Sequence, residues 1–260
     1  MKVPFYSYFI RSGWPEHFET PAAIAAKFLK TLDALSRDPI FASWEVFDTR
    51  KVSSLSLAEA RLRMAAIVED NVARDDFDKP ALMYGYHANA MTGEFRNPRS
   101  VSLGIRAGGR YENGAVLEFG EYDVAPDLAI VTYPLFRTAL LAINAIWSAP
   151  WACAQAFRSG AVAVPMNFGG AQGSRIDSVT QVPIDPTFPY SIFHIPWIAY
   201  LSAECAAGVT LGREILTERM PDGGLLMTAT TERLDPMNPE HVRRARILAE
   251  TLIACARKAP

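Results

Sequence analysis

The chain has 260 residues, half of them apolar and 21% charged; a chain of this length buries about 70–75% of the surface its unfolded form exposes, so neither disulfides nor a metal is needed to hold it. Its formal charge of −2 argues against nucleic-acid binding, which calls for a clearly basic face. No apolar run reaches the roughly 18 residues of a membrane helix, and the short apolar run after Lys2, broken by Ser7, lacks the long core and small-residue cleavage site of a signal peptide, so a cytoplasmic protein is expected.

In chain order, the aromatic-rich stretch Val3–Ile10 reads as a first strand. Thr20 supplies a capping oxygen and Pro21 fits the first helical position, where a missing N–H costs nothing. Ile24, Phe28, Leu32 and Leu35 then recur at helical spacing up to Asp38-Pro39. Ser56-Leu-Ala-Glu59 has capping-box spacing and opens a second helix, with Leu57, Met64, Ile67 and Val68 as its buried face. Ala81–Ala88, Arg99–Ala107 and Ala115–Phe119 are strand-like, and Gly108-Gly109 with Asn113-Gly114 make the last two an antiparallel hairpin. Pro134–Trp147 has a helical pattern stopped by Pro150, and Trp151–Phe157 reads as a short strand.

The stretch 166–189, rich in Gly, Pro, Asn, Ser and Asp, is expected to be a long loop. Pro196–Ser202 reads as a strand. Pro221-Asp-Gly-Gly224 joins Ile215–Arg219 to Leu225–Thr230 in a hairpin. Asn238-Pro-Glu240 opens a final helix, with Val242, Ala245, Leu248, Ala249 and Leu252 as its stripe and arginines outside. Strands and helices cluster rather than alternate. The expectation is an α+β fold over residues 1–260, a single domain with mostly antiparallel sheet packed by about four helices.

No catalytic constellation is legible. The histidines His17, His87, His194 and His241 form no HxxxH pair, and Cys153, Cys205 and Cys255 show neither CxxC nor zinc spacing. They read as reduced structural thiols. His241, in a helix's first turn where its cation would oppose the dipole, reads as a neutral surface residue. The Gly-rich Phe168–Arg175 matches neither GxGxxG nor GxxxxGK, and no GxSxG elbow is present. An enzyme would have to assemble its site in three dimensions, with His194 and a carboxylate such as Glu204 as the local candidates. No cofactor is implied.

Charge is unevenly spread. Glu112, Glu118, Glu121, Asp123 and Asp127 lie in a stretch without Lys or Arg, and Glu69, Asp70, Asp75, Asp76 and Asp78 face only Arg74 and Lys79. Such runs are commonly solvated faces; they are also what a binder of a basic partner needs. Among the tryptophans, Trp44 and Trp197 read as core. Trp14, in the polar turn Arg11–Glu16, reads as exposed, which makes Arg11 and Trp14 candidate interface anchors.

Three blocks resemble the immunity protein 52 family of bacterial polymorphic toxin systems: Arg37-Asp-Pro-Ile-Phe-Ala-Ser-Trp44; Ile146-Trp-Ser-Ala-Pro-Trp-Ala152; and Trp197–Ser202 with Pro221-Asp-Gly-Gly-Leu225 and Glu232–Val242. Asp38, Phe41, Trp44 and Arg233 stand at places where the family carries such residues, and with Trp197 they read as scaffold. Trp14 follows Gly13 rather than preceding it, and Ser148-Ala149 stand where the family has an acidic residue. The resemblance implies a protein, not an enzyme, that binds a cognate toxin with a restriction-endonuclease-like nuclease domain, of the kind delivered by type VI secretion. Direct nucleic-acid or membrane binding is not implied. Because a nuclease presents a basic cleft, Glu118, Glu121 and Asp123 are the expected contact carboxylates, with Asp75 and Asp76 as further candidates.

Overall fold

Ten of the strands form one antiparallel sheet in the order β11-β12-β10-β7-β1-β6-β5-β4-β2-β3. They are β1 Phe5–Trp14, β2 Trp44–Asp48, β3 Ser53–Ser56, β4 Tyr86–Thr92, β5 Val101–Ala107, β6 Asn113–Phe119, β7 Trp151–Ser159, β10 Ile195–Leu201, β11 Leu216–Arg219 and β12 Leu225–Thr228. This is a computed structural model, and it describes residues 5–51, 53–73, 80, 85–110, 113–120, 124–159, 175–176, 183–184, 195–207, 209 and 214–256. The helices are α1 Pro21–Leu35, α2 Leu57–Arg61, α3 Met64–Asp70, α4 Tyr133–Trp147, α5 Ala203–Ala206 and α6 Pro239–Ala256. The fold is mixed α+β, as expected. Six helices rather than about four lie among the described residues.

Local chemistry explains the boundaries. Thr20 caps α1 by accepting from the Ala23 N–H, and α1 buries Ile24, Phe28, Leu32 and Leu35. Each such side chain contributes about 1.5–3 kcal/mol when fully buried. The capping box at Ser56 forms in both directions, yet the helix it opens stops at Leu62 and restarts at Met64. That break places Met64, Ile67 and Val68 in the core. α4 ends because Ser148 adopts a left-handed conformation (φ +50°), just ahead of Pro150, the residue expected to stop it. Asn238 accepts from the Glu240 N–H at 3.0 Å and starts α6. Glu240 in turn holds Arg243 and Arg244, whose hydrogen bonds keep its carboxyl down at about 2. Ala245, Leu248, Ala249 and Leu252 are buried, whereas Val242 and Arg246 are half-buried.

Some strands are longer or shifted. β1 runs on to Trp14, and β7 is not a short flank but a nine-residue strand between β1 and β10. β4 runs from Tyr86 to Thr92, beyond the expected end at Ala88; 81–84 lie outside the described residues. Within the stretch expected to be a long loop, Arg175–Ile176 (β8) and Pro183–Ile184 (β9) pair antiparallel; its remaining residues lie outside the described ones.

The face of the sheet that packs on α4 is identified by its rings. Phe136 of α4 lies 4.4 Å from Phe119, 5.1 Å from Trp197 and 6.4 Å from Tyr8. Tyr8 donates its O–H to the Leu234 carbonyl at 2.7 Å, and Trp197 Nε1 donates to the Thr230 carbonyl at 2.8 Å. Both bonds tie the segment after β12 down onto this core. Burial pushes the Tyr8 phenol up to about 12 against the opposing pull of the Arg233 charge. No helix among the described residues is long and apolar enough to cross a membrane.

Candidate interaction surface

Strand alternation puts a different set of side chains on the second face. Along β5 and β6, Val101, Leu103, Ile105, Ala115, Leu117 and Phe119 are buried, while Ser102, Arg106, Val116 and Glu118 are half-buried. Register aligns them across strands. One row runs Phe9, Glu118, Ser102, Met91, Glu45; the next runs Arg11, Val116, Gly104, Asn89, Phe47. Arg11 and Glu118, chosen separately from the sequence, are thus diagonal neighbours on one face. Arg106 pairs with His87 in a third row. Burial, helped by the Arg106 charge, pulls the His87 imidazole down to about 4, so it is neutral near pH 7.

His87 and Asn89 also line an open cleft of about 490 Å³ with Thr49, Arg50, Asp70, Asn71 and Val72. Asn71 organises it. Its side chain accepts from the Thr49 hydroxyl at 2.7 Å, and its carbonyl accepts from the His87 N–H at 3.0 Å. Next to the cleft, Lys51 reaches Asp48 at 3.1 Å and the lining Asp70 at 3.2 Å; the bond to Asp48, then that to Asp70, raises the Lys51 pKa. Among the described residues the His87 ring has no hydrogen-bond partner that would orient it for proton transfer, and no cluster suited to a metal occurs. The described lining of the cleft is polar.

The sequence candidates fall in different places. Trp14 is not exposed: it is 7% accessible and stacks on Trp147 at 4.9 Å. β1 continues through Gly13 instead of turning, which turns the indole onto the end of α4. Arg11 is half-buried in mid-strand rather than in a loop. Glu118 also lies within a strand, one residue from its end. Asp75, Asp76, Glu121 and Asp123 lie outside the described residues. Their flanks leave opposite ends of the sheet. Ala73 bonds Gly85 just before β4, whereas Gly120 bonds Ser100 just before β5. β4 and β5 are antiparallel, with Tyr86 opposite Ala107 and Thr92 opposite Val101. Those ends are separated by about 20 Å of strand.

The residues that carry the family resemblance sit in the framework. Asp38 caps the short 3₁₀ turn Pro39–Phe41 by accepting from Ile40 N–H. That turn sets Phe41 parallel to Trp44, with ring centroids 5.8 Å apart. Trp197 is fully buried, and Arg233 donates to the Leu128 carbonyl at 3.3 Å. His241 departs from its surface expectation. It is 7% accessible and accepts the Asp235 N–H at Nδ1 over 3.1 Å, bracing the turn before α6. Glu204 is exposed in the first turn of α5, and His194 lies outside the described residues. Cys153 is buried and Cys205 half-buried, both as free thiols; burial pushes Cys153 up to about 12, which makes it inert. Sequence reasoning missed His87, Asn89 and Arg106 as a group. Alternation along β4 and β5 carried the signal, but only the register shows that the three share a face.

No family model matches the chain, and no curated protein matches it. Among solved structures, it is similar to Pseudomonas aeruginosa T6SS protein PA0821, with a TM-score of 0.53 at 11% sequence identity, covering 96% of this chain and 76% of that one. At that identity the likeness is one of fold.

Proposed function

We propose that this chain is an immunity protein of the immunity protein 52 kind, which binds a cognate nuclease toxin in the cytoplasm and protects the cell that makes it. The supporting observation is a fold likeness covering 96% of the chain, to a protein whose name places it in type VI secretion. The proposed toxin is then an effector of such a system. The resemblance blocks fit this reading as framework: Asp38, Phe41, Trp44 and Trp197 build the core and its turns, and the exposed Arg233 ties its segment to the Leu128 carbonyl.

In this reading the protein acts by occupancy, with no catalysis and no cofactor. Stable inhibitor complexes bury about 1,600 Å² in total, ample for nanomolar affinity. Carboxylates facing a nuclease's basic, phosphate-binding surface would speed encounter. Glu118, with Glu121 and Asp123 after it in the chain, is the proposed acidic border, at the sheet end where Gly120 bonds Ser100. The test is co-expression with the toxic domain encoded by the neighbouring gene. Rescue of growth supports the proposal, and failure of a well-expressed, folded protein to rescue overturns it.

A further inference from the structure

The turn that leads into α6 is fastened at two points. The Leu234 side chain is fully buried, and the Leu234 carbonyl accepts the Tyr8 hydroxyl at 2.7 Å. One residue on, the Asp235 N–H donates to Nδ1 of His241 at 3.1 Å, from a ring that is itself 7% accessible. Beyond that bond the chain closes on itself. The Asp235 carboxylate accepts the Met237 N–H at 2.8 Å, and its carbonyl accepts the Asn238 N–H at 3.0 Å. The helix then starts.

A ring nitrogen can accept an N–H only while it carries a lone pair, so the ring proton sits on Nε2. Nε2 faces the exposed Glu232 carboxylate at 3.5 Å. The two neighbours therefore select the same neutral tautomer. A proton from solvent has one place to go, Nδ1, where it would meet the Asp235 N–H head on. Two donors cannot share that contact, so the bond breaks and the Asp235 N–H turns to water.

The surroundings leave this choice to the ring. On its own helix, Glu240 is bonded to Arg243 and Arg244, and its carboxyl, held down at about 2, stays charged. Arg233 reaches the Leu128 carbonyl, and Asp127 beside it is paired with Arg99. On β10, against which α6 packs, Tyr200 is the one titratable group, and Tyr8 of β1 is pushed up to about 12 and stays neutral. Among the described residues, Glu232 and Asp235 are the groups in contact with the ring.

We infer that His241 is a proton-sensitive latch: the neutral ring holds residues 235–238 against the first turn of α6, and the imidazolium lets them go while keeping Glu232. Release is local, because Leu234 stays fastened to Tyr8.

The test is a pH titration of the full chain by nitrogen-15 NMR, following the His241 ring and the exchange of the Asp235 amide corrected for its intrinsic rate. Near neutral pH the ring should carry its proton on Nε2. Amide protection should then fall by about tenfold for each pH unit below the ring's own midpoint. His241→Gln keeps an acceptor that does not titrate, and its Asp235 protection should stay level. In Glu232→Gln, a change at an exposed position, the ring and the amide should again share one midpoint. A proton on Nδ1 at neutral pH, protection that stays level while the wild-type ring titrates, or separate midpoints in either chain would overturn the latch. So would an equal loss in a folded His241→Gln chain, which would assign the release to carboxylates. If His241→Gln does not fold, the wild-type and Glu232→Gln titrations decide alone.

Discussion

Trp197 and Trp44 allow a paired stability test. They are 0% and 3% exposed, so buried area alone gives them nearly equal worth. Their hydrogen bonding differs. Trp197 Nε1 donates to the Thr230 carbonyl at 2.8 Å, whereas the buried Trp44 Nε1 has no partner among the described residues. Trp197→Phe strands a buried carbonyl, at about 1–3 kcal/mol, and adds about 1–2 kcal/mol for lost ring atoms and the space they leave. Trp44→Phe loses the same atoms but removes an N–H that was already unpaired. It also keeps an aromatic ring against Phe41, so its cost should stay near ~1 kcal/mol. Urea unfolding of both variants, with the slope checked for constancy, measures the difference. Trp197→Phe should be the more destabilised by about 1–3 kcal/mol. Equal losses, or the reverse order, would refute the hydrogen-bond argument.

Other predictions bear on pH, packing and association. His87 titrates at about 4 in the fold against 6.5 when free, so between these values the unfolded chain takes up a proton that the folded chain does not. Stability is therefore full above about pH 6.5 and falls towards pH 4, by at most about 3 kcal/mol and less for a ring in partial contact with water. His87→Gln should flatten that part of the profile, and an unchanged wild-type-like slope would contradict it. Gly13→Ala would set a Cβ 2.5 Å from the Trp151 ring; a loss of about 1–3 kcal/mol is expected, and a neutral result in thermal unfolding would mean the ring moves freely. Replacing Glu121 and Asp123 by Lys, with Glu118→Gln, should slow toxin association most at low salt. An unchanged rate in the folded triple variant would exclude this acidic border.

What could be read in advance was local. Thr20, Ser56 and Asn238 announce helices through a single side-chain oxygen, and the Gly-Gly turns announce hairpins, because each signal lies within a few residues of its effect. Burial that depends on distant partners was not legible. Trp14 stands beside polar neighbours in sequence, yet its ring meets Trp147 at 4.9 Å. His241 looks like a surface residue until the turn at Asp235 folds back on it. The Arg11–Glu118 and His87–Arg106 neighbours depend on β1, β6, β5 and β4 lying side by side, a register that composition does not encode.

In the proposed function, this chain inhibits a nuclease by binding it one to one. The direct measurement is nuclease activity of the purified toxic domain encoded by the neighbouring gene, titrated with this protein, with the mixture run on gel filtration. Inhibition by occupancy gives a linear loss of activity that reaches zero at molar equivalence, together with a stable equimolar complex. Undiminished activity at excess protein, or complete inhibition at a small fraction of an equivalent, would contradict it.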